Sequence, residues 1–216
     1  GVENVSELTF KVICQDLELL CESLNVKSAI LIGHSMGVNI SLEFALQVPS
    51  IIKGLILISG TVRPVNNVMF DTNIMSFLLP FVKGLKGLAP SIVETFWKTG
   101  GHNPIVKRII HQQGFNSKNV SLEYVEIYLN RVGKLGSDIF LKLFDEMGKH
   151  DVGVKLDQLK APTLIIGGDK DNVIPNHQQR LLHQLLENSE LYIVKNGSHV
   201  PQVDFPDHVN ERILKF

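Results

Sequence analysis

The sequence predicts an α/β fold: a mostly parallel sheet with flanking helices and a helical insertion. Four short apolar runs of strand length begin near Ala29, Leu55, Thr163 and Leu191. Runs that are apolar throughout are typical of parallel strands covered on both faces. Helical patterns separate these runs, and the alternation of helix and strand indicates a parallel α/β sheet. Residues 61–160 contain no comparable run and consist of successive helical patterns.

We therefore expect three segments along the 216 residues. Residues 1–60 and 161–216 form the α/β core, and residues 61–160 form the helical insertion between them. With 44% hydrophobic and 20% charged residues, the chain has the composition of a globular domain with one substantial core.

The charge and hydropathy of the chain exclude some partners. A formal net charge of -1 argues against a nucleic-acid partner or an anionic membrane surface, which would need a basic field. No apolar run approaches the roughly 18 residues that suggest a membrane span. The sequence does not indicate an oligomeric state.

The two cysteines, Cys14 and Cys21, fall seven residues apart on one predicted helix. That spacing puts them about two turns apart, which is too far for a disulfide. We expect them to be small buried thiols, and they favour a reducing compartment such as the cytoplasm. Because the first residue is Gly1 rather than methionine, a signal peptide is not excluded.

The first core segment is predicted to begin with a helix capped by Thr9. An apolar stripe supports this helix: Val12, Ile13, Leu17, Leu20 and Leu24. A turn then leads into the strand at Ala29, and a mostly buried helix follows and ends before Pro49.

Local signals predict where helices of the insertion begin and end. Ser91 with Glu94 forms a possible capping box, and Asn103 before Pro104 is a typical cap and first-turn pair. Two further helices follow, one from Leu122 to Val132 that ends at Gly133, and one capped by Ser137 that ends at Gly148.

The aromatic side chains of the insertion have two possible roles. They could line an acyl pocket or form the insertion's own core, and an amphipathic helix favours the second role. The residues concerned are Phe70, Phe77, Phe81, Phe96, Trp97, Phe140 and Phe144.

The motif Gly33-His34-Ser35-Met36-Gly37 follows the first apolar run and precedes the predicted helix. It has the form of a nucleophile elbow, a strained turn between a strand and a helix that exposes a serine hydroxyl. The glycines two positions before and after the serine suit a turn with no room for larger side chains. The N–H of Met36, first in the helix, would point at a developing oxyanion.

An acid and a histidine follow two later strands. The polar loop after the run at Thr163 contains Asp169 and Asp171, and Gly197-Ser198-His199 follows the run at Leu191. A serine, an acid and a histidine therefore each stand just after a predicted strand, in that chain order.

These three motifs resemble those of the α/β-hydrolase superfamily, and more narrowly of its cap-bearing esterase and hydrolase branch. The resemblance covers nearly the whole chain. The acid loop of that family commonly has the form Gly-x-x-Asp-x-x-x-Pro, matched here by Gly168, Asp171 and Pro175. Its histidine often follows a glycine and precedes an acidic residue, and Gly197, His199 and Asp204 are similar. The resemblance implies that residues 61–160 form a helical cap over the active site.

The resemblance implies a catalytic triad. Ser35 would attack an acyl carbon, His199 would move its proton, and Asp171 would orient the imidazole. Asp169 is an alternative acid, but the register to Pro175 favours Asp171 and leaves Asp169 as a turn residue. Ser35 could also be a small residue tolerated in a tight turn, and His199 a surface-loop histidine.

No metal site or organic cofactor is expected. The remaining histidines show no H-x-x-x-H or H-E-x-x-H spacing and have no cysteine near them. His34 is expected to pack against the neighbouring loop rather than react.

The sequence favours a serine hydrolase that cleaves a carboxylic ester or related acyl compound of an apolar small molecule through an acyl-enzyme. A carbon–carbon bond hydrolase, an acyltransferase and a hydrolase-like receptor that binds a small ligand are alternatives. We expect residues 61–160 to control substrate choice rather than chemistry.

The resemblance also implies that residues 1–216 are an incomplete α/β-hydrolase fold, lacking its N-terminal part. Full members of that family have several strands before the elbow and a His-Gly loop that supplies a second oxyanion N–H. No such loop precedes Gly33. We expect residues 1–216 alone to be poorly soluble and at least about 100-fold less active than a complete chain.

Overall fold

Four strands form one parallel sheet in the order β1-β2-β3-β4. The computed structural model describes residues 4–65, 69 and 74–216, and of residues 74–79 and 101 it describes the backbone alone. The strands are β1 (Ala29–His34), β2 (Ile52–Ile58), β3 (Thr163–Gly168) and β4 (Ser189–Val194). All four apolar runs of the sequence are therefore strands, and the predicted α/β class is confirmed.

The helices lie before, between and after these strands. They are α1 (Phe10–Ser23), α2 (Met36–Gln47), α3 (Ile74–Leu88), α4 (Pro90–Thr99), α5 (Pro104–Gly114), α6 (Leu122–Leu135), α7 (Ser137–Lys149), α8 (Asn176–Leu185), α9 (Pro201–Asp204) and α10 (Pro206–Lys215). Short 3-10 turns span Val5–Glu7, Pro49–Ile51, Gly100–His102 and Gly153–Gln158. Five α-helices thus lie between β2 and β3 in the described chain, where the sequence predicts the insertion. The three-segment division itself stays a prediction.

Strand register brings the carboxyl ends of the strands to one edge. His34 of β1 pairs with Ile58 of β2, Ile58 pairs with Ile166 of β3, and Gly168 pairs with Val194 of β4. Because parallel strands end at the same edge, the loops after β1, β3 and β4 meet there.

Alternate residues of the strands pack on opposite faces of the sheet. On one face, Leu55, Leu57 and Ile165 pack with the buried side of α2 and with α8. On the other face, the neighbouring strand residues pack with Val209 of α10. Continuous apolar strands are needed because both faces are covered.

The structure of α1 confirms its predicted cap but only part of its predicted apolar stripe. Thr9 caps α1 through its Oγ1, which accepts a hydrogen bond from the Val12 N–H at 3.2 Å. The predicted apolar stripe is only partly buried, however, because Leu20 and Leu24 are exposed. Phe10 and Cys14 are the buried residues of the helix.

Both cysteines lie on α1 and are free thiols, as their spacing predicts. Cys14 is buried, and desolvation is the main cause that raises the pKa of its thiol to about 12. Cys21 is only partly buried, which corrects the expectation that both thiols are buried.

Of two helix caps predicted in the insertion, one is confirmed and the other is wrong. Asn103 caps α5, accepting hydrogen bonds from the Ile105 and Val106 N–H groups. The capping box predicted at Ser91 is wrong: α4 begins at Pro90, and no side chain caps it. The Glu94 carboxylate instead accepts hydrogen bonds from the backbone and hydroxyl of Ser137, far along the chain.

Two predicted ends of insertion helices are also wrong. Helix α6 runs through Gly133 and ends at Leu135, and Gly133 instead lets α6 approach the backbone of α4 at Trp97. Gly136, with φ of 82°, separates α6 from α7, so Ser137 is the first residue of α7 rather than its cap. That helix continues past Gly148 to Lys149.

The aromatic residues of the insertion fall into two groups. The Trp97 ring packs at a tilted angle on Phe140, which stacks on Phe144, and these contacts correspond to the core role. Phe81 and Phe96 are exposed. Phe70 and the side chain of Phe77 lie outside the described residues.

Within the described part of the chain, no helix is long and apolar enough to cross a membrane.

Candidate active site

Ser35 stands at a strained turn between β1 and α2. Its backbone has φ of 53° and ψ of -117°, which a residue with a side chain rarely adopts. The Ser35 N–H donates to the Ile58 carbonyl oxygen at 2.9 Å and thereby anchors the turn to the end of β2. Met36 is the first residue of α2, so its N–H belongs to the helix turn that has no intrahelical acceptor.

The two glycines of the motif have different roles. A Cβ on Gly33 would lie 2.4 Å from the Gly37 carbonyl oxygen, so the turn leaves no room for a side chain there. A Cβ on Gly37 would meet no atom within 4 Å. The expectation that both glycines are needed for space is therefore wrong at Gly37, which lies in the first turn of α2.

This difference predicts opposite effects of two alanine substitutions. Gly33→Ala should lower the free energy of unfolding by about 1–3 kcal/mol or more, because backbone atoms cannot move aside easily. Gly37→Ala should raise it by about 0.4–1 kcal/mol, because alanine restricts the unfolded chain and suits a helix. Urea unfolding of the two variants measures both values. Equal destabilisation by the two substitutions would contradict the geometry of the turn.

The three predicted triad residues lie in contact. His199 Nε2 is 3.0 Å from Ser35 Oγ, and His199 Nδ1 is 3.0 Å from Asp171 Oδ2. The Asp171 side chain is 1% exposed and that of His199 12% exposed. A proton can therefore pass from the serine to the imidazole, and the carboxylate can hold the tautomer that accepts it.

The acid loop fixes the carboxylate of Asp171. Its Oδ1 accepts hydrogen bonds from the Val173 and Ile174 N–H groups, both at 2.9 Å, which leaves Oδ2 for the histidine. Asp169 is exposed, and its N–H donates to the Val194 carbonyl oxygen in the turn after β3. Of the two candidate acids, the structure brings Asp171 and not Asp169 to His199.

The acid loop and the histidine loop cross in direct contact. A Cβ on Gly168 would lie 2.2 Å from the carbonyl oxygens of Gly197 and Ser198, so only glycine fits at this crossing. The Lys170 N–H also donates to the Gly197 carbonyl oxygen at 2.8 Å. This close approach sets the distance between the two loops.

His34 contacts the histidine loop, as its position in the motif predicts. Its Nε2 lies 2.8 Å from the His199 carbonyl oxygen, a distance at which the ring N–H donates to that oxygen. Burial, with the His199 imidazole as the second cause, lowers the pKa of His34 to about 4. His34 is therefore neutral near pH 7.

The lowered pKa of His34 predicts a loss of stability in acid. The unfolded ring titrates near pH 6.5, so between about pH 6.5 and 4 the unfolded state binds a proton that the folded state does not. The contribution to stability is complete above this window and is lost as the pH falls, by up to about 3 kcal/mol. His34→Gln keeps an N–H donor and cannot titrate. Urea unfolding at several pH values should therefore give a shallower pH dependence for this variant, and equal slopes would contradict the assignment.

A buried polar contact behind the elbow was not predicted from the sequence. Asn39 Nδ2 donates to the Thr61 carbonyl oxygen and lies 3.0 Å from His150 Nδ1. Burial is the main cause that lowers the pKa of His150, and the nearby Glu43 carboxylate opposes it. The contact joins α2 to the end of α7. No local signal reveals it, because the partners are 111 residues apart.

The described residues contain no group of three or more His, Cys, Asp or Glu side chains arranged to hold a metal ion.

The parallel sheet, the strained serine turn and the contacting side chains define the chain as an α/β-hydrolase. Comparison with protein families agrees. The family described as "Serine aminopeptidase, S33" matches residues 7–204, and the chain belongs to this family.

Individual proteins are similar over most of the chain. The uncharacterized hydrolase YugF of Bacillus subtilis is 26% identical over 204 residues, covering 91% of this chain and 68% of that protein. The 2-hydroxy-6-oxononadienedioate/2-hydroxy-6-oxononatrienedioate hydrolase of Klebsiella pneumoniae is 25% identical over 205 residues, covering 93% of this chain and 66% of that protein. The chain thus spans about two thirds of the length of these curated relatives.

A solved structure shows the same fold. The thermophilic esterase of Thermogutta terrifontis has a TM-score of 0.75 at 19% identity, over 96% of this chain and 71% of that one.

Proposed function

We propose that the protein is a serine hydrolase that cleaves a carboxylic ester, or a related acyl compound, of an apolar small molecule. The observation that carries the proposal is the continuous contact from Ser35 Oγ through the His199 imidazole to the Asp171 carboxylate. The hydrolase names of its relatives support the reaction class.

The geometry supports a two-step reaction. Ser35 Oγ attacks the acyl carbon while His199 Nε2 takes its proton, and the N–H of Met36 donates to the oxyanion. The imidazolium, held by Asp171, gives the proton to the leaving alcohol, and an acyl-Ser35 ester remains. Water then attacks this ester with His199 as the base, which releases the acid and restores the serine hydroxyl.

The cap supports an apolar substrate. Its helices α3 and α4 carry exposed apolar side chains, among them Phe81, Leu88, Ile92 and Phe96. None of the three triad residues lies on the cap, so exchanging residues 61–160 for those of a relative that keeps the contacts to residues 196–204 should change acyl preference and leave Ser35 reactive.

A series of p-nitrophenyl esters tests the proposal. We expect release of nitrophenolate in the intact protein, with an initial burst when deacylation is slow. Mass spectrometry of the quenched reaction should find the acyl group on the peptide that contains Ser35. A burst of nitrophenolate without acylation of that peptide would contradict the acyl-enzyme route.

A carbon–carbon bond hydrolase is the second candidate. The 2-hydroxy-6-oxononadienedioate/2-hydroxy-6-oxononatrienedioate hydrolase, whose named substrate is a keto acid rather than an ester, matches 93% of this chain. Cleavage of a vinylogous 1,5-diketone, with no turnover of esters, would favour it. Transfer of the acyl group to an added alcohol would favour an acyltransferase. Binding of an apolar ligand without turnover of either substrate would favour a receptor.

A further inference from the structure

One buried carboxylate joins the cap to the loop that carries His199. Asp204 ends α9 and is 4% exposed. Its Oδ2 accepts a hydrogen bond from the Ser198 N–H at 2.6 Å, and its Oδ1 accepts one from the Asn116 N–H at 3.0 Å. Asn116 belongs to the cap turn, residues 114–119, which begins at the last residue of α5 and leads toward α6.

Three more hydrogen bonds cross the same boundary. Ser198 Oγ donates to the Gly114 carbonyl oxygen at 3.1 Å, and Asn116 Nδ2 donates to the Asn196 carbonyl oxygen at 2.8 Å. Asn119 Nδ2 donates to the carbonyl oxygen of Asp204 at 3.1 Å. The cap turn is therefore hydrogen-bonded to Asn196 and Ser198 as well as to Asp204.

An apolar cluster covers these polar contacts. Phe115, Val120 and Val125 of the cap pack with Val200, the residue after His199. Burial strengthens hydrogen bonds to a charged group and makes a lost partner costly. In the described chain no Lys or Arg pairs with Asp204, so the hydrogen-bond donors to its carboxylate are the backbone N–H groups of Ser198 and Asn116.

We propose that Asp204 is a positioning residue that couples the seating of the cap turn to the position of the His199 imidazole. The Ser198 N–H is one residue from His199, so its bond to Asp204 fixes the backbone from which the ring extends. The inference rests on the proposed function. Displacing a catalytic group by about 1 Å can cost on the order of 100-fold in rate, so a cap turn that lifts away would slow the chemistry.

Asp204→Asn in the intact protein tests the positioning role. An amide presents an NH₂ group to one of the two N–H donors, so one segment is released. We expect kcat for a short p-nitrophenyl ester to fall by about 10- to 100-fold, with KM changed by less than about threefold. Labelling of Ser35 by a fluorophosphonate should slow to a similar degree. Asp207→Asn, three residues away and exposed, is the matched control and should keep the wild-type rates.

Asn116→Ala tests the coupling to the cap without touching the carboxylate. It removes the bond to the Asn196 carbonyl oxygen and the acceptor of the Lys118 N–H within the cap turn, and should lower kcat by about 3- to 10-fold. In the double variant Asp204→Asn, Asn116→Ala, the loss of kcat expressed as a free energy should be less than the sum of the two single losses. The reason is that both substitutions weaken the same connection between the cap turn and the histidine loop. A loss of kcat in Asp204→Asn with none in Asn116→Ala would overturn the coupling. If Asp204→Asn fails to fold, Asp204→Glu, which keeps the carboxylate but displaces it from the Ser198 and Asn116 N–H groups, is measured in its place with the same readouts.

Proton NMR separates this inference from the proposed function. The downfield resonance of the His199 Nδ1–H reports the contact with Asp171 and needs no turnover. We expect it to weaken or shift in Asp204→Asn and to remain in Asp207→Asn. An unchanged resonance with wild-type kcat, even at a lower melting temperature, would overturn the positioning role. A wild-type protein that shows the resonance but neither labels nor hydrolyses esters would contradict the proposed function, and the resonance would still test Asp204.

Discussion

Ser35→Ala should lower kcat for ester hydrolysis by about 10⁶-fold, the order of loss when a triad nucleophile is removed. The reason is that the Ser35 hydroxyl is the group that the strained turn holds 3.0 Å from His199 Nε2. Binding and oxyanion stabilisation remain, so the variant should keep a small rate above that in water. With a p-nitrophenyl ester, stopped-flow assays measure the rate of the wild-type protein and long-term assays that of Ser35→Ala. Fluorophosphonate labelling should disappear in the variant.

Ser59→Ala is the matched control for this substitution. Ser59 also follows a strand of the sheet and also has a positive φ, 49°. It is fully buried, and its hydroxyl has no hydrogen-bond partner among the described residues. Removing that hydroxyl should leave kcat and labelling unchanged. Labelling that survives in Ser35→Ala but disappears in Ser59→Ala would end the assignment of the nucleophile.

Asp171→Asn should lower kcat by about 10⁴-fold while the protein stays folded. The amide oxygen can still accept from the Val173 and Ile174 N–H groups, so the acid loop keeps its shape. The amide NH₂ then faces His199 Nδ1 and favours the tautomer protonated at Nε2. That tautomer cannot take the proton of Ser35, so the rate falls although the distances are kept.

Asp169→Asn controls for a change of charge in the same loop. Its carboxylate is exposed, and its role in the turn uses the backbone N–H, which the substitution keeps. We expect a loss of less than about threefold, as for a surface position away from the chemistry. A pH profile of kcat/KM for both variants completes the measurement. A larger loss in Asp169→Asn than in Asp171→Asn would contradict the register of the loop.

The sequence predicts best those features that depend on neighbours along the chain. The four strands follow from short apolar runs, and the caps at Thr9 and Asn103 follow from side chains that reach N–H groups two or three residues ahead. The choice of Asp171 over Asp169 follows from its spacing to Pro175. In each case the deciding contact is local or belongs to a fixed motif.

Predictions from the sequence fail where the local structure depends on a residue that is far along the chain. Glu94 does not close a capping box because Ser137, 43 residues away, takes its carboxylate. Gly133 does not end a helix because it lies against the backbone of α4. Likewise, the pattern containing Asp204 indicates an acidic residue near His199 but gives no sign of Asn116. These contacts depend on how the helices between β2 and β3 pack on one another and on the core, which helical periodicity does not encode.

The crossing of Gly168 and Gly197 constrains how this site can be rebuilt from parts of its homologues. The acid loop and the histidine loop meet backbone to backbone, so no side-chain repacking can absorb a mismatch between them. A chimaera whose crossover falls between these glycines joins loops from two parents and succeeds only when both share the same crossing. A pair of crossovers bounding residues 61–160 keeps both loops from one parent. Recombination can therefore vary the helices between β2 and β3 while inheriting the acid and the histidine as a single block, provided that the contacts of Asn116 with Asn196 and Asp204 are kept.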